Sequence, residues 1–128
     1  MMKIGCGTVN FRHLSLDTAL RLIAEAGYTC VELQATAPFC PHVDPWRDDP
    51  ARVRRQVEGH GFRDISALWA PNGAMLADSQ CVTGISRAIE WAAAAGIPVV
   101  CAGDGRKPEG LSDSEGLKRL EEPLMCVL

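Results

Sequence analysis

A glutamate inside an apolar segment is the first residue of this chain that could do chemistry. Along Cys30-Val31-Glu32-Leu33-Gln34 the side-chain character alternates, which is the period of an extended strand. Val31 and Leu33 share one face, suited to packing under helices. Cys30, Glu32 and Gln34 share the other. A carboxylate in a central strand is costly unless paired or hydrated. Glu32 therefore reads either as a substrate-binding or acid/base group, or as a structural glutamate bonded to a neighbouring strand. His42 lies in the loop after the same strand, two residues before Asp44. An imidazole there can bind a metal or phosphate or shuttle a proton; the plainer reading is an exposed loop histidine. Trp69 closes a later apolar run, where an indole face lines a sugar or apolar pocket or simply fills the core. Asp104 sits in Gly103-Asp104-Gly105-Arg106-Lys107, a segment whose backbone N–H groups can cradle an anion or merely turn the chain. That segment lacks P-loop spacing, and Gly5-Cys6-Gly7 lacks the third glycine of a dinucleotide fingerprint.

These residues need strands and helices to position them. Short apolar runs at Lys3–Thr8, Thr29–Gln34, Asp64–Trp69 and Ile97–Ala102 read as strands. Amphipathic stretches lie between and after them. Ser15 caps the first helix, with Leu16, Ala19, Leu20, Ile23 and Ala24 on one face and Gly27 as its stop. Asp49-Pro50 opens a second helix running to about His60, with Val53 and Val57 buried. Pro71-Asn72-Gly73 is a turn signal. A third helix spans about Ser79 to Ala95, with Val82, Ile85, Ile89, Ala92 and Ala93 as its stripe. Ser112-Asp113-Ser114-Glu115 is a capping box for a fourth. Leu117 and Leu120 begin the stripe of that helix, and Pro123 interrupts it.

The order is βαβαβαβα, which implies a parallel sheet with right-handed crossovers. In such folds function gathers at the C-terminal ends of the strands. Those ends bring together Gly7, Thr8 and Asn10, then Glu32 and Gln34, then Trp69 and Asn72, then Asp104 between its two glycines. The inward face is expected to carry Cys30, Ser66 and Leu68.

Composition narrows the partners. Sixteen acidic against thirteen basic residues give a net charge of −3, which provides no electrostatic footprint for nucleic acid or an anionic membrane. No signal segment is evident, and the apolar run Trp91 to Ala95 is far too short to span a bilayer. The six cysteines form no C-x-x-C pair, and Cys6, Cys30 and Cys101 fall inside strands expected to be buried. Reduced thiols in a cytoplasmic protein are expected, a disulfide framework being the other reading.

Several stretches together resemble a known group. They are Lys3–Thr8, then Ser15–Leu20 leading into Ala26-Gly27-Tyr28-Thr29-Cys30-Val31-Glu32-Leu33, and His60-Gly61-Phe62. With them go Ala88–Ala92, Ala95–Val100, and Gly103–Gly105 with Pro108-Glu109-Gly110. The chain resembles the sugar phosphate isomerase/epimerase family, within the xylose isomerase-like TIM barrels, from Lys3 to about Leu120. The resemblance implies an α/β fold comprising the N-terminal half of a TIM (β/α)₈ barrel. Residues 1–128 would form a single partial domain, with four parallel strands in the order 1-2-3-4.

The parent reaction of that family is metal-assisted isomerisation or epimerisation of a sugar or polyol, by proton transfer next to a carbonyl. Its divalent metal (Mn, Mg or Zn) is held by Glu, Asp, His and Glu on strands five to eight. Those strands lie beyond the units read here, so the resemblance implies no metal ligand and no cofactor within this chain. What carries over is a set of substrate-binding candidates: Glu32, His42, Trp69 and Asp104. A barrel half leaves open strand edges, so self-association or a complementing chain is expected. One alternative is a non-catalytic half-barrel that acts only through assembly or is an inert fragment. An endonuclease of the same superfamily is disfavoured by the acidic charge.

Overall fold

The first turns of the helices show the local rules at work. The Ser15 hydroxyl accepts the Thr18 N–H at 3.2 Å. The Asp49 carboxylate accepts the N–H groups of Ala51 and Arg52 at 2.7 and 3.2 Å, with Pro50 at the first helical position. Ser112 and Glu115 cap each other, the Ser112 N–H donating to the carboxylate at 2.9 Å and the Glu115 N–H to the hydroxyl at 3.3 Å. These bonds satisfy donors that a helix start otherwise leaves open. At the other ends, Gly27 and Gly96 adopt φ of 90° and 67°, a region that costs side-chain-bearing residues energy.

A computed structural model describes residues 3–71, 75–76 and 81–127. Its elements are β1 (Cys6–Gly7), a 3₁₀ turn (Thr8–Phe11), α1 (Leu16–Glu25), β2 (Cys30–Gln34) and α2 (Pro50–Gly59), followed by β3 (Asp64–Trp69), α3 (Cys81–Ala94), β4 (Val100–Cys101) and α4 (Asp113–Val127). The four strands form one sheet, all parallel, in the order β1-β2-β3-β4. The fold is therefore α/β with the expected strand order. The outer strands are shorter than the sequence implies: Thr8 leaves β1 for the 3₁₀ turn, and Ile97 to Val99 precede β4 without joining it. The Asn72-Gly73 turn and the helical start at Ser79 lie outside the described residues.

One face of the sheet carries the core. Val31, Leu33, Ile65 and Leu68 pack with Leu20 and Ile23 of α1, Val53 and Val57 of α2, and Ile85, Ala88 and Trp91 of α3. Val100 and Val127 pack against the same cluster.

The expected inward position of Leu68 is wrong. Val31 aligns with Ile65, yet Glu32 aligns with Ala67, so Ser66 is an extra residue in β3. Such a bulge inverts the alternation that follows it. Leu68 pairs with Leu33 and is fully buried on the helix side. Ala67 and Trp69 take the opposite face with Glu32 and Gln34. The Ser66 hydroxyl holds the bulge by donating to the Val31 carbonyl at 3.3 Å. The cysteine expectation also shifts: Cys30 is buried, but Cys6 and Cys101 are half-buried.

Two helix stripes differ as well. On α3 the buried side runs Cys81, Gly84, Ile85, Ala88, Trp91 and Ala92, while Ile89 is 38% exposed and Ala93 is exposed. Trp91 takes the interior because its large ring fills it and its indole N–H finds the Asp48 carbonyl at 2.8 Å. On α4, Leu117 is 66% exposed, and the buried positions are Gly116 and Pro123. Pro123 does not interrupt the helix. Its φ suits a helix, and the loss is its own N–H bond plus the crowding of the carbonyl four residues back, at a site where its ring is buried.

Expected from this packing is a sharp contrast along α3. Trp91→Ala should cost about 3–5 kcal/mol and Trp91→Phe about 1 kcal/mol, against well under ~1 kcal/mol for Ile89→Ala. Urea denaturation of the three variants measures it; equal losses at positions 89 and 91 would contradict the assigned face.

Candidate functional site

The face of the sheet opposite the core is open, and its polar residues come from alternate strand positions. Gly7, Glu32 and Ala67 align across β1, β2 and β3. One step further along, Gln34, Trp69 and Cys101 align across β2, β3 and β4. Glu32, Gln34 and Trp69, with Val9 from the 3₁₀ turn and Thr36 and Phe39 from the loop after β2, line a pocket of about 440 Å³. It lies at the C-terminal ends of the strands, where a parallel sheet collects function.

Within the pocket the polar groups form a short chain. Thr36 Oγ1 donates to Gln34 Oε1 at 3.3 Å, and Gln34 Nε2 donates to Glu32 Oε1 at 3.2 Å. Gln34 is only 4% exposed, so its amide is fixed by those two bonds. Among the described residues Glu32 enters no ion pair. Its carboxylate can still accept hydrogen bonds from a ligand. Gly7 makes room for it: a Cβ on Gly7 would lie 3.3 Å from Glu32 Oε1. Phe39 forms the outer rim, 57% exposed, with the Arg12 guanidinium 4.8 Å from its ring centroid. Burial pushes the Cys101 thiol above its ordinary range, and the negative charge of Glu32 pushes it further.

The structure thus brings Glu32 and Trp69 together and leaves the other two candidates elsewhere. His42 is buried with both ring nitrogens engaged: Nε2 lies 2.9 Å from the Leu14 carbonyl and Nδ1 lies 3.4 Å from Cys40 Sγ. The carbonyl can only accept, so Nε2 carries the proton and Nδ1 accepts the Cys40 S–H. Burial also raises the Cys40 thiol, which keeps that proton in place. The arrangement ties the loop after β2 to the chain ahead of α1. Asp104 lies beyond β4. Its backbone carbonyl accepts the Leu76 N–H at 3.0 Å, and it lines a separate hollow with Lys107, which pairs with Asp113.

Phe39, Thr36 and Cys101 were not singled out as site residues from sequence. Phe39 and Thr36 lie in a loop with no period to read. Cys101 had a signal, because Val100 belongs with the apolar face and its neighbour must point the other way.

Among the described residues, no three His, Cys, Asp or Glu side chains come together to hold a metal ion. These residues do not supply the ligand set that the resemblance implies for later strands. No helix among them is long and apolar enough to cross a membrane. Comparison with protein-family models and with curated proteins found no match for this chain.

The Glu32–Cys101 relation can be measured. Glu32→Gln removes the charge that disfavours the thiolate, so Cys101 should ionise at lower pH in the variant. Alkylation rate against pH, read at the Cys101 peptide by mass spectrometry, reports it. An unchanged profile would show that the carboxylate does not face Cys101.

Proposed function

We propose that this chain is the first four β/α units of a barrel of the sugar phosphate isomerase/epimerase type, and that it supplies the substrate-side wall of a polyol pocket. The observation that carries the reading is Glu32. It stands on the open face, at the C-terminal ends of parallel strands, held by one amide and without an ion pair among the described residues. A carboxylate so placed is suited to accept hydrogen bonds from neighbouring hydroxyls, and such charge-assisted bonds are the stronger kind. Trp69 offers an aromatic face for the C–H side of a sugar ring. Gln34, with its amide already oriented by Thr36 and Glu32, adds polar recognition without a further ordering cost.

The family reaction moves a proton next to a carbonyl. Glu32 is the one described carboxylate in this pocket, and a metal set is absent among the described residues. The share assigned here to these residues is binding and orientation. His42 contributes by fixing the loop that carries Thr36 and Phe39.

Tryptophan fluorescence and NMR titration with a ketose, an inositol and a sugar phosphate test the proposal. Expected is weak, saturable binding that perturbs Trp69, reduced about tenfold or more by Glu32→Gln or Trp69→Ala, a loss of roughly 1.4 kcal/mol. Asp104→Ala should leave it unchanged. The 128-residue chain should give no interconversion, with or without Mn²⁺, Mg²⁺ or Zn²⁺. Absence of binding by all three ligand types, or turnover abolished by a chelator, would contradict the proposal.

A further inference from the structure

Opposite charges stand at the strand side and at the rim of the Glu32 pocket. Glu32 is held on its strand by the Gln34 amide at 3.2 Å. Arg12 is held at the rim by Phe39. Among the described residues neither enters an ion pair.

Arg12 is fixed to the pocket through its backbone and through its side chain. Its backbone N–H donates to the Val9 carbonyl at 3.2 Å, and Val9 lines the pocket. Its guanidinium carbon lies 4.8 Å from the centroid of the Phe39 ring, which lines the pocket as well. His42 ties the two rim segments to each other, because its Nε2 donates to the carbonyl of Leu14 at 2.9 Å, just beyond Arg12 in the chain. A guanidinium held against a ring by cation–π attraction spends none of its N–H donors on a conventional acceptor. Nor is its charge opposed nearby in sequence. Residues 8–14 and 35–43, which supply the rim, contain one arginine, no lysine and no carboxylate.

Such a site suits a ligand with hydroxyl donors at one end and a negative charge at the other. The charge is better a carboxylate than a phosphate. A carboxylate matches the planar guanidinium fork with paired N–H···O bonds, and its single charge is what one arginine neutralises. A phosphate monoester brings close to two charges and is commonly met by the free N–H groups of a helix start. The helix that follows the rim, α1, is a poor partner for it. Its Thr18 N–H goes to the Ser15 hydroxyl, and Asp17 places a carboxylate in its first turn.

We propose that Arg12 is a specificity-determining residue, and that the pocket takes a polyhydroxy carboxylate, a sugar acid, with hydroxyls on Glu32 and the carboxylate on Arg12. The proposal rests on the polyol-pocket reading and adds to it the charge of the ligand.

NMR titration with D-gluconate, D-glucitol and a glucitol phosphate tests it. The first two share one carbon chain and differ at one terminal group, so their difference reads the anion. Expected is gluconate binding about tenfold tighter than glucitol, with Arg12→Gln erasing the difference and leaving glucitol within about twofold of its former affinity. Arg12→Lys should restore only part of it, since an ammonium keeps the charge without the fork. Glu32→Gln should weaken gluconate and glucitol alike. Arg12 is exposed, and circular dichroism checks that both of its variants stay folded. Equal affinity for gluconate and glucitol, or a gluconate preference that survives Arg12→Gln, would overturn the proposal and leave the polyol pocket standing. So would tighter binding of the glucitol phosphate than of gluconate. Binding of none of the three would overturn the pocket reading together with the proposal.

Discussion

One-sided burial of a short parallel sheet is the constraint on which the rest of this structure depends. Four strands cannot hold a flat register and also place every large apolar residue under the helices. Ile65 and Leu68 are three residues apart, an odd spacing that strict alternation would split between two faces. The bulge at Ser66 absorbs the mismatch, and both side chains reach the cluster formed with α1, α2 and α3. Fully burying a leucine or isoleucine is worth roughly 1.5–3 kcal/mol. The single Ser66-to-Val31 hydrogen bond that holds the bulge is worth about 1 kcal/mol. Burial decides the register, and the hydroxyl follows.

Everything on the opposite face is a consequence. The same shift that buries Leu68 turns Ala67 beside Glu32 and Trp69 beside Gln34. Without it the pocket would place a leucine near the carboxylate and hide the indole. Gly7 then lets the Glu32 side chain stand close to β1. A carboxylate kept in place by one amide, in a face that no helix among the described residues covers, is an arrangement that stability alone does not require.

Much of this was legible in the sequence, and the failures have identifiable causes. Helix starts were readable because Ser15, Asp49 and Ser112 cap their own backbones, a local interaction needing no tertiary knowledge. The parallel sheet followed from β/α alternation, its strand order from the resemblance, and the face of Glu32 from its apolar neighbours Val31 and Leu33. The bulge was not legible, since nothing in Asp64–Trp69 marks Ser66 as the extra residue until β2 lies alongside. The stripe of α3 was misplaced because Ile89 and Trp91 are both apolar, and only the Asp48 carbonyl selects the indole. Leu117 and Pro123 exchanged their expected roles on α4, where the helix packs through Gly116 and Pro123. His42 looked like a site residue by type and position; the Leu14 carbonyl that engages it is 28 residues away in sequence.

The central claim is the face assignment across the bulge, and paired substitutions in β3 test it most directly. Ser66→Lys and Leu68→Lys would be compared by chemical denaturation with the unsubstituted chain. The one-sided sheet expects Ser66→Lys to lose about 1 kcal/mol, the worth of its hydroxyl bond to Val31 and no more. Leu68→Lys should lose more than ~3 kcal/mol, or fail to fold, because it drives a charge into the helix-packed core. Similar tolerance at both positions would place Ser66 and Leu68 on the same face, and the core and the pocket described here would both be misassigned.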